Sequence, residues 1–241
     1  MSSGVVVAID GPAGAGKSTL ARLLARDLDY TYIDSGAMYR AVGLLAGEQG
    51  VPLDDAESLA ALCEDLDFAF PWIDGDLRTL VNGRDVSELI RTPTASMTAS
   101  TVSKVGAVRS ALVAAQRDLA RDGGVVMEGR DIGTVVFPDA ELKVFLTASA
   151  RVRGERRWRE LRERGIERTL EDVVDEVEAR DYQDSTRAVS PLRPAEDSVV
   201  LDTSKLGVER VRRALRRLVA ARLEGHPDPA LDAETLDAAQ D

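Results

Sequence analysis

The chain opens with an apolar β-branched run, a glycine-rich bend and a leucine-rich segment, which read VVVAIDGPAGAGKSTLARLLARDL over residues 5–28. A short continuous run such as VVVAI predicts a strand that is buried on both faces. After the bend, Leu20, Leu23, Leu24 and Leu28 recur at helical spacing. A buried strand that leads through a tight bend into an amphipathic helix is typical of a parallel sheet covered by helices. The opening therefore favours the α/β class.

Further apolar runs alternate with helical patterns along the chain. The runs are YTYI (30–33), VVM (125–127), KVFL (143–146) and VVLD (199–202). This alternation predicts a parallel sheet with helices on both sides. Residues 66–89 interrupt it with two turn signals, DGD and NG, which predict a small antiparallel hairpin or three-stranded patch inserted into the core.

Length and composition limit the number of domains and the cellular compartments that fit this chain. The 241 residues suffice for one large core that carries small inserted lobes. The single cysteine, Cys63, excludes an internal disulfide and fits a reducing compartment. No apolar run approaches the roughly 18 residues of a membrane span, and the N-terminal segment is strand-like rather than a signal peptide. We expect a cytoplasmic protein that does not associate with membranes.

Charge is distributed unevenly. The net charge of −11 argues against general binding of nucleic acid, which requires a basic face. Residues 224–241 contain six acids and no Lys or Arg, a composition that predicts a solvated, disordered tail. Residues 151–168 contain eight Arg against four Glu, which indicates that a polyanion meets the protein there.

A phosphate-binding loop explains the glycine-rich bend. Gly11, Gly16, Lys17 and Ser18 match G-x-x-x-x-G-K-[ST] between the predicted strand and helix, the context that the motif requires. Glycines let successive N–H groups face phosphate oxygens, and the helix adds its positive end. Lys17 is expected to reach the β/γ-phosphates of ATP and Ser18 to ligate Mg²⁺. The expected nucleotide-binding residues are Gly11, Pro12, Ala13, Gly14, Ala15, Gly16, Lys17, Ser18 and Thr19.

Such a loop serves GTPases, motor ATPases and small-molecule kinases, and a plain glycine-rich turn is the alternative without function. Two absences narrow the choice. The only asparagine is Asn82, so a guanine-reading Asn-Lys-x-Asp element cannot exist. The only histidine is His226, in the acidic tail, so acid–base catalysis through histidine is not expected.

Four further stretches carry a resemblance. They are DSGAMYR (34–40), ASTVSKVGAVR (99–109), MEGRDIGTVVFPDA (127–140) and RDYQDSTRAVSPL (180–192). Together with the loop, they resemble bacterial-type cytidylate kinases over residues 5–223. The resemblance implies transfer of the γ-phosphate of ATP to CMP, and to dCMP, by a monomer. It also implies a P-loop fold with a five-stranded parallel sheet flanked by helices, an antiparallel insert in the monophosphate-binding lobe and a helical lid.

The same resemblance implies domain bounds and residue roles. A single kinase domain is expected over 1–223, with the lobe at about 36–108 and the lid at 151–168. The acceptor nucleotide is expected to contact Ser35, Arg40, Ser100, Arg109, Arg130, Asp131, Arg180, Asp184 and Arg187. The residues expected to act in catalysis are Lys17, Arg130, Arg153, Arg157 and Arg187.

These residue types suit a phosphate acceptor. A phosphate monoester is already ionised near neutral pH, so it needs positioning and charge neutralisation rather than a base. Asp131 matches the family's reader of the cytosine amino group, and Ser100 and Arg109 supply donors to the ring. Arg180 and Asp184 match residues that hold the sugar. They share a helical stripe with Arg187 if that segment is helical.

Several assignments stay open. Arg153, Arg156 and Arg157 fall on one helix face, and the sequence does not decide which is catalytic; Arg159, Arg162 and Arg164 fit surface ion pairs. The adenine of ATP is expected between Arg151 or Arg157 and residues 202–206. Asp34 could cap a helix, touch the acceptor or hold Mg²⁺ through water, and capping is favoured. Arg91 either braces the lobe, which we favour, or touches substrate.

Two other functions remain possible. Another P-loop kinase could phosphorylate a different nucleotide or a small alcohol, although a hydroxyl acceptor would call for a catalytic base and fewer arginines. The chain could instead be a regulatory ATP-binding module without catalytic activity.

Overall fold

A computed structural model describes residues 4–229. Within this range the strands are β1 (Val6–Asp10), β2 (Thr31–Asp34), β3 (Phe68–Ala69), β4 (Trp72–Ile73), β5 (Asp76–Leu77), β6 (Leu80–Val81), β7 (Arg84–Asp85), β8 (Val125–Gly129), β9 (Leu142–Thr147) and β10 (Val199–Asp202). The helices are α1 (Lys17–Leu28), α2 (Ser35–Gln49), α3 (Ala56–Glu64), α4 (Pro93–Val102), α5 (Gly106–Leu119), α6 (Ala150–Glu163), α7 (Leu170–Thr186) and α8 (Val208–Leu223). A π-helical turn, Ile132–Val136, follows β8.

The central sheet confirms the predicted α/β fold. Its five strands lie in the order β10-β9-β1-β8-β2. β1 pairs parallel with both β8 and β9, and β9 pairs parallel with β10. Most of β1 and all of β8 are buried, as expected for strands covered on both faces. The carboxyl ends of β1, β8 and β9 therefore lie side by side, where ligands bind in open α/β sheets.

The chain divides into two compact units. In the described part of the first, residues 4–30 and 123–229, α1 packs on β8 and α8, and α8 also packs on β9. Leu20 and Leu24 of α1 and Leu215 of α8 are among the buried side chains of its core. Leu20 and Leu24 lie one helical turn apart, which is the spacing that the leucine-rich segment predicts for the buried face of α1.

A helical hairpin in the first unit contains the predicted lid. Helices α6 and α7 pack against each other, and Gly154 makes this possible because a Cβ there would lie 2.4 Å from the Val174 side chain. Trp158 Nε1 donates to the Arg168 carbonyl at 2.9 Å. The segment 151–168 is thus helical through Glu163, and a loop tied to Trp158 completes it.

The second unit, 31–122, is built from four helices and short strands. α2 packs on α4 and α3 packs on α5. Strands β3, β6 and β7 form one antiparallel sheet and β4 and β5 a hairpin, so the insert predicted at 66–89 is confirmed. Asp74 and Gly75, like Asn82 and Gly83, all have positive φ, as a two-residue type I′ turn requires.

The remaining organisational predictions concern the ends and boundaries. The bounds of the kinase domain (1–223), of the monophosphate-binding lobe (about 36–108) and of the lid (151–168) stay predictions. Of the predicted disordered tail, residues 230–241 lie outside the described residues. In residues 4–229 no helix is both long and apolar enough to cross a membrane.

Candidate active site

The phosphate loop connects β1 to α1, as predicted. Gly11, Gly14 and Gly16 all have positive φ. A Cβ at Gly11 would lie 2.0 Å from the Leu146 carbonyl oxygen, so only glycine fits there. Gly16 is the N-cap of α1 and provides no side-chain oxygen, which leaves the first N–H groups of the helix for an anion.

The two polar residues that follow the loop occupy different environments. Lys17 is buried, and its Nζ donates to the Pro12 carbonyl at 2.8 Å, so the ammonium lies against the loop. Ser18 is exposed in the first turn of α1. Within residues 4–229 no three His, Cys, Asp or Glu side chains cluster as a metal site. One hydroxyl without a carboxylate cage suits Mg²⁺ that keeps waters and binds nucleotide phosphates.

Two predicted acceptor arginines of the first unit converge on the carboxylate of Asp184. Arg130 Nε donates to Asp184 Oδ2 at 2.8 Å, and Arg180 Nε lies 3.6 Å from the same oxygen. Burial alone would raise the pKa of Asp184, but the charges of Arg130, Arg180 and Arg187 outweigh burial and hold that pKa below its usual value. Asp184 is therefore a charged anchor for guanidinium groups.

Asp131 directly follows Arg130 and is buried. It occupies the N-cap position of the π-helical turn, yet its side chain makes no capping hydrogen bond. Arg187 Nη2 lies 3.7 Å from its Oδ1. The acid expected to read the base thus faces a cation expected to bind the acceptor.

Arg187 reaches this position differently from the predicted helical stripe. α7 contains Arg180 and Asp184 but ends at Thr186, and the backbone at Arg187 is extended. The Leu192 N–H donates to the Asp184 carbonyl at 2.8 Å, which takes the acceptor that a continuing helix would use. The turn brings the Arg187 guanidinium towards Asp131.

The three lid arginines have separate partners. Arg153 is buried; its Nε donates to the Ala148 carbonyl at 2.8 Å, and its Nη1 donates to the Ala13 carbonyl at 3.1 Å. It also forms a two-pronged ion pair with Asp181 of α7. Arg153 therefore joins the phosphate loop, the exit of β9 and the lid hairpin.

Arg156 and Arg157 point to different neighbours. Arg156 donates to the Thr203 hydroxyl at 3.0 Å and to the Thr203 carbonyl at 2.8 Å. Arg157 is paired with Glu160 at 3.4 Å on the surface of α6. Arg156, rather than Arg151 or Arg157, thus contacts the 202–206 loop that we expect near adenine.

The second unit holds four predicted acceptor residues. Asp34 caps α2, because its Oδ1 accepts from the Ala37 N–H at 2.9 Å, and its Oδ2 accepts from Arg40 at 2.7 Å. Capping, the favoured role of Asp34, is confirmed. Ser35 is buried in the first turn of α2.

The other two lie on α4 and α5. Ser100 is half-buried on α4, and Arg109 is buried on α5 with its guanidinium carbon 5.9 Å from the centroid of the Tyr39 ring. Arg91 forms an exposed ion pair with Glu88, three residues before it, and its favoured bracing role stays a prediction. The sequence did not indicate the contact between Arg109 and the Tyr39 ring.

Asp10 and Asp181 are two residues of the site that the sequence motifs did not indicate. Asp10 ends β1 and is buried, and it accepts from the Ile132 N–H at 2.8 Å and the Gly133 N–H at 2.7 Å. Burial raises its pKa to about 6. A charged residue between a buried strand and the first loop glycine was the available signal, since acids are rarely buried without a partner.

An α/β sheet whose first strand enters a phosphate loop, beside an arginine-bearing helical hairpin, defines a nucleotide-binding protein of the P-loop class. The model of the cytidylate kinase family matches residues 7–220. The chain is 50% identical over 222 residues to a cytidylate kinase of Syntrophotalea carbinolica, covering 92% of this chain and 94% of that protein. It is 51% identical over 221 residues to a cytidylate kinase of Geobacter sp. strain M21, covering 92% and 95%. The chain belongs to the cytidylate kinase family, which confirms the resemblance.

Proposed function

We propose that this chain transfers the γ-phosphate of ATP to CMP, and to dCMP, giving ADP and CDP or dCDP. Membership of the cytidylate kinase family supports this activity. The observation that carries the assignment of residues is the cluster in which Arg130 pairs with Asp184 and Arg187 faces Asp131. This cluster combines arginines that can bind a phosphate with a buried carboxylate that can bind the cytosine ring.

The acceptor side needs little proton chemistry. An oxygen of the CMP phosphate attacks the γ-phosphorus of ATP, a new P–O bond forms, and the bond to the oxygen that stays with ADP breaks. Both reactants are anions, so bringing them together requires positioning and positive charge. Arg40, Arg130, Arg180 and Arg187 provide that charge, and Asp184 holds Arg130 in place.

The preference for cytosine over uracil follows from the carboxylate of Asp131. The exocyclic amino group of cytosine donates hydrogen bonds, whereas uracil has an accepting carbonyl at that position. Asp131 can accept from cytosine but would face uracil with two unmatched acceptors. Ser100 and Arg109 of the second unit supply donors to the ring, and Ser35, Arg180 and Asp184 contact the rest of the nucleotide.

The donor side uses residues 11–19. The N–H groups of this loop, which Pro12 lacks, bind the phosphates of ATP, and Lys17 adds a charge at the β/γ position. Ser18 would hold Mg²⁺, which neutralises charge on the β- and γ-phosphates when it is bound. The lid residues close over the reacting groups and exclude water, which prevents hydrolysis of ATP.

The lid arginines divide into two roles. Arg153 is occupied by Asp181 and two backbone carbonyls, so it supports the loop from behind. Arg157 contacts Glu160 at 3.4 Å on the surface of its own helix and can reach towards a transferring phosphoryl group. We therefore place the phosphoryl-stabilising role on Arg157.

We also propose that the enzyme acts as a cytoplasmic monomer and binds no nucleic acid.

A coupled assay tests the function. Purified protein with ATP and CMP, dCMP, UMP or AMP should form ADP fastest with CMP. Binding of ATP without phosphorylation of any monophosphate would favour a regulatory module, and a preference for another acceptor would favour a different P-loop kinase. Asp131→Ala should lower CMP turnover far more than it lowers ATP affinity, and an unchanged preference for CMP over UMP would remove Asp131 from the base-reading role.

A further inference from the structure

The turn that carries Asp131 is capped from a different strand. The two oxygens of Asp10, the last residue of β1, accept the consecutive N–H groups of Ile132 and Gly133 at 2.8 and 2.7 Å. These N–H groups belong to the first residues of the π-helical turn. Asp10 thus satisfies the Gly133 N–H, a donor that an N-cap side chain would ordinarily satisfy, together with the Ile132 N–H beside it.

Asp131 occupies the N-cap position without performing this function. Aspartate is among the best N-cap residues, because its carboxylate accepts from N–H groups two or three positions ahead. Here the Asp131 side chain makes no such bond, and its backbone has φ −147° and ψ 26°. Its carboxylate instead faces Arg187. Two carboxylates therefore act at one turn: Asp10 caps it, and Asp131 faces Arg187.

We propose that Asp10 is a positioning residue: by capping the turn in place of Asp131, it keeps the Asp131 carboxylate directed at the cytosine of the acceptor. This inference rests on the proposed function of Asp131. Asp10 immediately precedes Gly11, so the residue that fixes the acceptor-reading turn is continuous with the loop that binds ATP.

The charges around Asp10 agree with this role. Burial opposes its ionisation, the neighbouring Asp131 opposes it further, and the ammonium of Lys17 favours it. The hydrogen bonds from Ile132 and Gly133 also favour the ionised form. A buried acid held in this way would be costly without a function for the turn that it fixes.

The test compares Asp10→Asn, Asp131→Asn and the double variant. Asparagine keeps one accepting oxygen but loses the second, so one buried N–H needs a new partner, and Asp131 at the N-cap position of the same turn has a carboxylate able to accept it. For Asp10→Asn we expect kcat/KM for CMP to fall about tenfold or more, the preference for CMP over UMP to fall with it, and the Kd of ATP to stay within about twofold. In the Asp131→Asn background, Asp10→Asn should leave the CMP-to-UMP preference unchanged within about twofold.

Asp27→Asn is the matched control, because Asp27 is a half-buried carboxylate that also accepts two hydrogen bonds but pairs with Arg212, away from the proposed site residues. It should leave the nucleotide preference unchanged. Asp10→Ser is a smaller second variant that keeps one acceptor and should behave as Asp10→Asn does.

Three outcomes overturn the proposal. An unchanged CMP-to-UMP preference in Asp10→Asn does so, as does a loss that multiplies fully with that of Asp131→Asn. If neither Asp10 variant folds while Asp27→Asn does, Asp10 is a structural residue only. Each of these leaves CMP kinase activity of the unmodified chain intact, whereas an unmodified chain that ignores CMP refutes the proposed function itself.

Discussion

Arg130 and Asp184 are 54 residues apart in the chain, yet Nε of one lies 2.8 Å from Oδ2 of the other. The pair joins the turn after β8 to the end of α7. Arg130 carries a charge that must meet a phosphate, and a flexible arginine would lose entropy on binding it. By fixing Arg130 in one geometry, Asp184 reduces that cost.

Asp184→Asn should weaken acceptor binding and destabilise the fold. It leaves the guanidinium groups of Arg130, Arg180 and Arg187 without a shared counter-charge, so we expect the KM for CMP to rise at least about tenfold. Breaking a buried ion pair costs about 3–5 kcal/mol. Steady-state kinetics and urea unfolding measure the two effects. In the control Asp197→Asn, which breaks the pair with Lys143, the KM for CMP should not change; an equal rise there would remove the special role of Asp184.

The lid arginines should separate by measurement. Arg157→Ala is expected to lower kcat by about 10³-fold, because it removes charge stabilisation from the transferring phosphoryl group. The Arg157 side chain is 36% exposed, so the variant should be as stable as the unmodified chain. Arg153→Ala, at 5% exposure and paired with Asp181, should lower the free energy of unfolding by about 3–5 kcal/mol.

Arg159→Ala is the matched control for the lid. Its side chain is 63% exposed and pairs with Glu155 on the same helix. Turnover should be unchanged, as for most exposed pairs. If Arg157→Ala retains full kcat while Arg153→Ala or Arg156→Ala loses it at unchanged stability, our division of roles is wrong.

Local patterns predicted the fold well because its signals are local. The β-branched run, the glycine motif and the leucine spacing each specify one element, and the DG and NG pairs specify turns that need positive φ. Helical spacing placed Arg153, Arg156 and Arg157 on one face, but it does not report tertiary partners. Asp181, Thr203 and Glu160 separate the three arginines, and each partner is set by packing.

The acceptor site was predictable only through resemblance. Nothing in the spacing of Asp10 and Ile132 indicates a contact, since they meet only because β1 and β8 are neighbours in the sheet. Likewise, the end of α7 before Arg187 depends on a bond from Leu192 to the Asp184 carbonyl. Tertiary contacts of this kind leave no periodic signal in the sequence.

Asp10 should make the stability of the protein depend on pH with an unusual sign. Its pKa rises from 3.8 to about 6 on folding, mainly through burial. Between these values the folded state binds more protons than the unfolded state, so stability falls as pH rises from about 4 to 6. The free energy of unfolding of the unmodified chain, relative to Asp10→Asn, should fall by about 2 kcal/mol over this range. Urea unfolding at pH 4, 5, 6 and 7 measures the difference.

The contribution of Asp27 to stability should depend on pH with the opposite sign to that of Asp10. Hydrogen bonding to Arg212 holds the pKa of Asp27 below its usual value, so Asp27 stabilises the fold above that value and loses its contribution as pH falls. Relative to Asp27→Asn, the unmodified chain should lose stability towards acid. A difference between the unmodified chain and Asp10→Asn that stays flat from pH 4 to 7 would show that Asp10 does not titrate in this range.

Removal of all residues after Leu223 should leave catalysis intact. α8 ends at Leu223, and the described residues beyond it contact the last turns of that helix: the His226 N–H donates to the Ala221 carbonyl at 2.8 Å, and Asp228 pairs with Arg222 at 2.6 Å. Both side chains of that pair are partly exposed, so its loss should cost less than about 1 kcal/mol. We expect kcat and the KM for CMP and ATP within about twofold of the full chain. A truncated protein that folds but turns over CMP more than tenfold slower would instead place residues 224–241 in the catalytic cycle.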